Sequence, residues 1–92
     1  MVALTFLAPP DEQWAFILEL IAAAPHDEQV LNRLAAGPVE GLLGRHGAAV
    51  IERVEALAER DAKFRLILTS VWQHTMSDDI WERVCSARAP RN

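Results

Sequence analysis

Apolar side chains recur at helical spacing along most of the chain. Trp14, Ile17, Leu18 and Ile21 form a first stripe, which Phe16 and Leu20 widen. Val30, Leu31 and Leu34 form a second, and Val39, Leu42 and Leu43 a third. The most regular stripe is Val50, Ile51, Val54, Leu57 and Ala58, with Glu52, Arg53, Glu55, Glu59 and Arg60 on its wet side. Phe64, Ile67, Leu68 and Val71 line a further segment, with Trp72 beside the stripe. Ile80, Trp81, Val84 and Cys85 close the series. Strand-like alternation occurs only weakly, in Val2 to Leu7.

Start and stop signals divide this pattern into six helices. Pro9-Pro10-Asp11-Glu12 suits a first helical turn, because proline fits there and carboxylates complement the helix dipole. Pro25 ends that helix, and His26-Asp27 caps the next. Gly37-Pro38 stops the second helix, with glycine in the left-handed position after its end. Pro38 opens a third helix that ends at His46-Gly47. Within it Gly41 and Gly44 either allow close packing or weaken the element by about 1 kcal/mol each. A fourth helix spans 48–60. Asp61 caps the fifth and Ser77 the sixth, with Asp78 and Asp79 in its first turn. The pattern predicts one all-α domain over residues 1–92, a compact bundle of about six short helices or of stacked helical hairpins. Residues 1–9 form an N-terminal arm and 89–92 a frayed tail. The first helix is apolar around almost its whole circumference after Trp14, which places it centrally or in an interface.

Composition narrows the function classes. A chain of 92 residues is one domain, and three tryptophans among 51% hydrophobic residues supply a core. The net charge is −4, unevenly spread. Asp11, Glu12, Glu19, Asp27 and Glu28 precede the first cation, Arg33, whereas the rest of the chain holds nine basic and eight acidic residues. This balance makes nucleic acid an unlikely direct ligand, since phosphate binding needs a concentrated basic footprint. One cysteine forms no internal disulfide, and no apolar run reaches the roughly 20 residues of a membrane span. A cytoplasmic protein without membrane contact is the expectation.

Two groups of residues have a familiar arrangement. Leu34-Ala35-Ala36-Gly37-Pro38-Val39-Glu40 leads to Leu42-Leu43 and His46-Gly47. Phe64-Arg65 leads to Val71-Trp72-Gln73, Met76-Ser77-Asp78 and Ile80-Trp81-Glu82-Arg83-Val84. Together they resemble a bacterial family of small helical proteins known only as a domain of unknown function. The chain departs from that pattern at Ala62, where the family tends to carry proline, and at Gly41, where it tends to carry an acid. The resemblance implies a natural helical domain and carries over no catalytic residues.

Candidate chemistry is sparse. His26, His46, His74 and Cys85 lack the spacing of metal ligands, and Cys85 reads as a small core hydrophobe. Ser70, Ser77 and Ser86 have no nucleophile context, and Asp78, Asp79 and Glu82 read as dipole complements. No catalytic residue, metal site or cofactor is expected. Trp and Arg are enriched at binding hot spots. The candidate partner-binding residues are therefore Arg65, Trp72, Gln73, His74 and Arg83 at one end, and Asp11, Glu12, Glu19, Asp27 and Glu28 at the other. Trp81 is expected in the core, packing with Trp72 if both are buried.

The expected function is binding of another protein, as an inhibitor, immunity-type factor or adaptor; an inhibitor of a nucleic-acid-targeting complex is one form that fits. Two alternatives stand beside it. One is a DNA-binding regulator using Arg60, Lys63 and Arg65 with Arg83, Arg88 and Arg91, the glycine turn at Gly44 to Gly47 imitating a helix-turn-helix. The other is a homodimeric structural unit that seals the first helix.

Overall fold

The computed structural model describes residues 8–89. Among these residues five α-helices and one π-helical segment follow one another: α1 Pro10–Ala23, α2 Glu28–Leu34, the π segment Ala35–Val39, α3 Glu40–Arg60, α4 Ala62–Thr69 and α5 Asp78–Ala87. No strand occurs among the described residues. The weak alternation at Val2 to Leu7 lies outside them, as do Pro90, Arg91 and Asn92 of the expected tail. The radius of gyration is 12.1 Å, that of a compact domain of this length.

The expected local signals operate at four helix starts. Pro10 occupies the first turn of α1. Asp27 accepts the backbone N–H of Gln29 (2.9 Å) and Val30 (3.3 Å), Asp61 that of Phe64 (3.0 Å), and Ser77 that of Ile80 (3.3 Å). Ala24 is extended (φ −74°, ψ 133°), as the residue before a proline must be, and α1 ends there.

The six-helix expectation needs correction between residues 28 and 60. Here α2, the π segment and α3 run on without a break, leaving four continuous helical stretches among the described residues. Gly37-Pro38 does not terminate a helix. Leu34, Val39 and Glu40 all keep right-handed helical angles, and no described glycine has positive φ. Pro38 has no N–H, and in an α-helix its ring meets the carbonyl four residues back. The wider π turn accommodates both defects: the Glu40 N–H reaches back five residues to Ala35 O. Burial of Ala35, Val39, Leu42 and Leu43 on both sides of the proline holds the segment helical. The expected end at His46-Gly47 survives only as a kink, with His46 at φ −134°, ψ 31°.

The core is contiguous. Val50, Ile51, Val54, Leu57 and Ala58 are buried as their spacing predicts, and so are Phe64, Ile67, Leu68 and Val71. The Trp14 ring meets Phe64 edge to face, 6.0 Å between centroids at 83°, joining α1 to α4. α1 lies against α3, buries Trp14, Ile17 and Ile21 and leaves Phe16 and Leu18 exposed, so it is not central. α5 lies chiefly against α3. A Cβ on Gly47 would stand 3.0 Å from Ile80 Cγ2, and one on Gly44 would meet Thr75 Oγ1. Of the two roles open to the glycines, close approach is therefore the one served at Gly44. Thr75 faces Gly44, Ile80 faces Gly47 and Arg83 reaches Glu55, so α5 follows α3 in the same sense rather than closing a simple hairpin.

Cationic side chains close several helix ends. Lys63 Nζ donates to Ala24 O (2.8 Å) beyond α1, and Arg65 Nη1 to Ala58 O (2.5 Å) near the end of α3. Arg88 Nη1 lies 3.4 Å from Leu68 O and from Val71 O, at the end of α4. These carbonyls lie at or just beyond helix ends, where a cation suits the negative end of the dipole.

Candidate functional site

The segment between α4 and α5 carries the most exposed large hydrophobe described. Val71 and Met76 are buried and anchor its two ends. Between them Trp72 stands 70% exposed. The backbone under it is held from a residue distant along the chain. Glu40, the first residue of α3, is only 9% exposed. Its Oε2 accepts the Trp72 N–H at 3.0 Å, and its Oε1 lies 3.1 Å from His74 Nε2.

The rest of the loop is equally bonded. Gln73 Nε2 donates to Met76 O (3.2 Å) and to Asp78 Oδ1 (2.8 Å), while the Met76 N–H donates to Gln73 O (2.8 Å). Ser70 Oγ donates to Asn32 Oδ1 (2.6 Å) on α2. His74 is the one described non-glycine residue with positive φ, at 42°. Histidine is among the residues that tolerate this region, at some cost in strain. The result is an exposed tryptophan on a loop held by several hydrogen bonds.

Of the sequence candidates, Trp72, Gln73 and His74 come together here. Trp72 does not pack with Trp81. Trp81 is half-buried against the core with the Arg88 guanidinium 4.9 Å from its ring centroid. Arg65 and Arg83 do not join the site. Arg65 is half-buried on the Ala58 carbonyl, and Arg83 makes a two-pronged pair with Glu55 (Nε to Oε2 2.8 Å, Nη2 to Oε1 2.5 Å). The hydrogen bonds from Arg83 hold the Glu55 carboxyl below the usual glutamate range. The same bonds raise the Arg83 pKa further.

The acidic candidates are all exposed but have different tasks. Asp11 pairs with Arg53 at 2.6 Å, and Asp27 caps α2. Glu12 and Glu19 lie on the outer side of α1, and Glu28 opens α2 beside a groove of about 300 Å³ lined also by His26, Leu31, Asn32, Leu66, Thr69 and Ser70.

Glu40 was absent from the sequence candidates. The signal was its register: Leu43 and Gly47, three and seven residues on, share its face and are buried. Gln13 was also missed. It is buried, donates to Ala8 O (2.6 Å) and accepts from Arg45 Nη2 (3.2 Å). Cys85 is half-buried rather than in the core, because Val84 and Ala87 occupy the inner face of α5. Among the described residues no three His, Cys, Asp or Glu side chains converge as metal ligands would. Nor is any helix among them long and apolar enough to cross a membrane.

Fold and site define a small all-helical domain built around a braced, tryptophan-bearing loop. The chain belongs to the family of unknown function DUF6869, whose model matches residues 1–91, in keeping with the uncharacterised family expected from the motifs. No curated protein and no solved structure matches it.

Proposed function

We propose that this is a non-catalytic protein-binding domain whose principal contact is the Trp72 loop. The observation that carries the reading is Trp72 itself, 70% exposed on a backbone braced by a buried carboxylate. An exposed tryptophan gains its burial energy only when a partner covers it, and a ring buries ~150–250 Å². A loop already ordered loses little further entropy on binding. Whether the domain serves as inhibitor, immunity-type factor or adaptor follows from the partner it captures.

The DNA-binding alternative draws less support. Lys63, Arg65 and Arg88 are bound to carbonyls, and Arg53 and Arg83 to carboxylates. Cations so engaged offer phosphate a weaker footprint.

The test is affinity capture from native host lysate, using wild-type protein and Trp72→Ala with unchanged circular dichroism. A stoichiometric protein retained by the wild type and lost by the variant supports the reading. Equal retention by both removes Trp72 from it, and recovery of nucleic acid in place of protein favours the rival.

A further inference from the structure

The outer face of α1 is a second surface, separate from the Trp72 loop. Gln13, Trp14, Ile17 and Ile21 turn inward. At about 100° per residue, Glu12, Ala15, Phe16, Glu19 and Ala23 share the opposite arc, and all are exposed. Phe16, on this arc, is 42% exposed, and Ala23 lies beside it; Leu18 stands about 160° away around the helix, next to the buried face. The helix is about 21 Å long, and its exposed alanines let another helix approach closely.

Charge decides what fits. α1 carries Asp11, Glu12 and Glu19 and no cation, and no Lys or Arg precedes Arg33. Arg53 reaches α1 at Asp11, leaving Glu12 and Glu19 flanking Phe16. A second copy docked by two-fold symmetry sets carboxylate against carboxylate, which disfavours sealing this face with itself. We infer that the face docks an amphipathic helix of another protein, one whose apolar stripe is flanked by lysine or arginine. Phe16 and Ala23 meet the stripe, and Glu12 and Glu19 pair with the flanking cations. Nothing in this inference depends on Trp72.

The experiment measures anisotropy of a labelled Leu/Lys amphipathic peptide of about five helical turns, with a Leu/Glu peptide as control, on the full-length protein at about 0.1 M salt. Binding of the basic peptide alone is expected. Glu12→Lys with Glu19→Lys, and separately Phe16→Ser, should each weaken it roughly tenfold or more. The same charge change elsewhere, Asp79→Lys with Glu82→Lys, should alter it by no more than about twofold, and so should Trp72→Ala. Equal weakening by both charge reversals overturns the inference, since net charge alone then explains binding. So does absence of binding. Sedimentation showing a wild-type dimer that Phe16→Ser dissociates also overturns it, in favour of a second copy.

Discussion

The two parts of α3 face the same core in different ways. From Ala48 to Arg60 the helix is regular and buries a stripe of Val50, Ile51, Val54, Leu57 and Ala58. From Glu40 to Gly47 it follows a proline-containing π turn, carries a buried carboxylate and ends in a kink at His46. The regular part makes its inward contacts with methyl groups, which are interchangeable and non-directional. The irregular part makes directional ones: a hydrogen bond to the Trp72 backbone, a polar contact to the His74 imidazole, and glycine contacts that place Thr75 and Ile80. The first kind stabilises the whole domain. The second fixes one loop, and that loop carries the exposed tryptophan.

Substitutions should separate the two kinds. Ile51→Ala in the regular part leaves a cavity and should cost about 2–5 kcal/mol, a large share of a small domain's stability. Urea midpoints should fall, with the Trp72 amide exchanging no faster relative to the core than before. Glu40→Ala in the irregular part should cost about 1–3 kcal/mol, because the Trp72 N–H loses its acceptor. Its signature is local. Hydrogen exchange at Trp72 and Gln73 should accelerate well beyond that of Val54 or Phe64. Glu40→Gln keeps an acceptor and should preserve most of the protection. A uniform acceleration across the core would show that Glu40 supports the fold at large and not the loop in particular.

The same contrast explains what could be read from the sequence. The stripe from Val50 to Ala58 and the caps at Asp27, Asp61 and Ser77 follow from periodicity and side-chain chemistry acting within a few residues. Those signals are local, so they are visible in the sequence. The passage of a helix through Gly37-Pro38 is not local, because it depends on the burial of Ala35 and Val39 by the rest of the fold. Arg65 and Arg83 looked available because an arginine's partner in space cannot be read from its neighbours in sequence. The carbonyl of Ala58 and the carboxylate of Glu55 claim them. Of the candidate set only the middle, Trp72 to His74, comes together in one loop. Its organiser, Glu40, lies 32 residues away along the chain from Trp72.

A smaller effect tests the regular part from its wet side. Arg83 holds the Glu55 carboxyl below its usual range, so the folded state favours the ionised form. A lowered folded pKa contributes stability that is present above the ordinary glutamate value and lost as pH falls through the depressed one. The pair is half-exposed, and its contribution is small. Arg83→Gln should therefore lower the melting temperature slightly at pH 7, with the gap to wild type closing on acidification below about pH 4. A gap that stays constant to pH 3 would assign the loss to packing of the Arg83 stem rather than to the ion pair.

The smallest effect on stability belongs to Trp72, and it sharpens the comparison most. The ring touches little of the core, so Trp72→Ala should change unfolding free energy by no more than about 0.5 kcal/mol. Fluorescence provides an independent reading of the same geometry. Trp14 is buried and Trp81 half-buried beneath Arg88, whereas Trp72 faces water. Acrylamide should quench one readily accessible component of the wild-type emission, and Trp72→Ala should remove that component while leaving the shielded remainder. Glu40→Ala should keep the component but broaden its environment, since the loop stays exposed and loses its brace. If Trp72→Ala instead destabilises the domain by several kcal/mol, the ring is covered by the protein itself. Its exposure then no longer argues for a partner, and loss of capture by that variant would report unfolding rather than a missing contact.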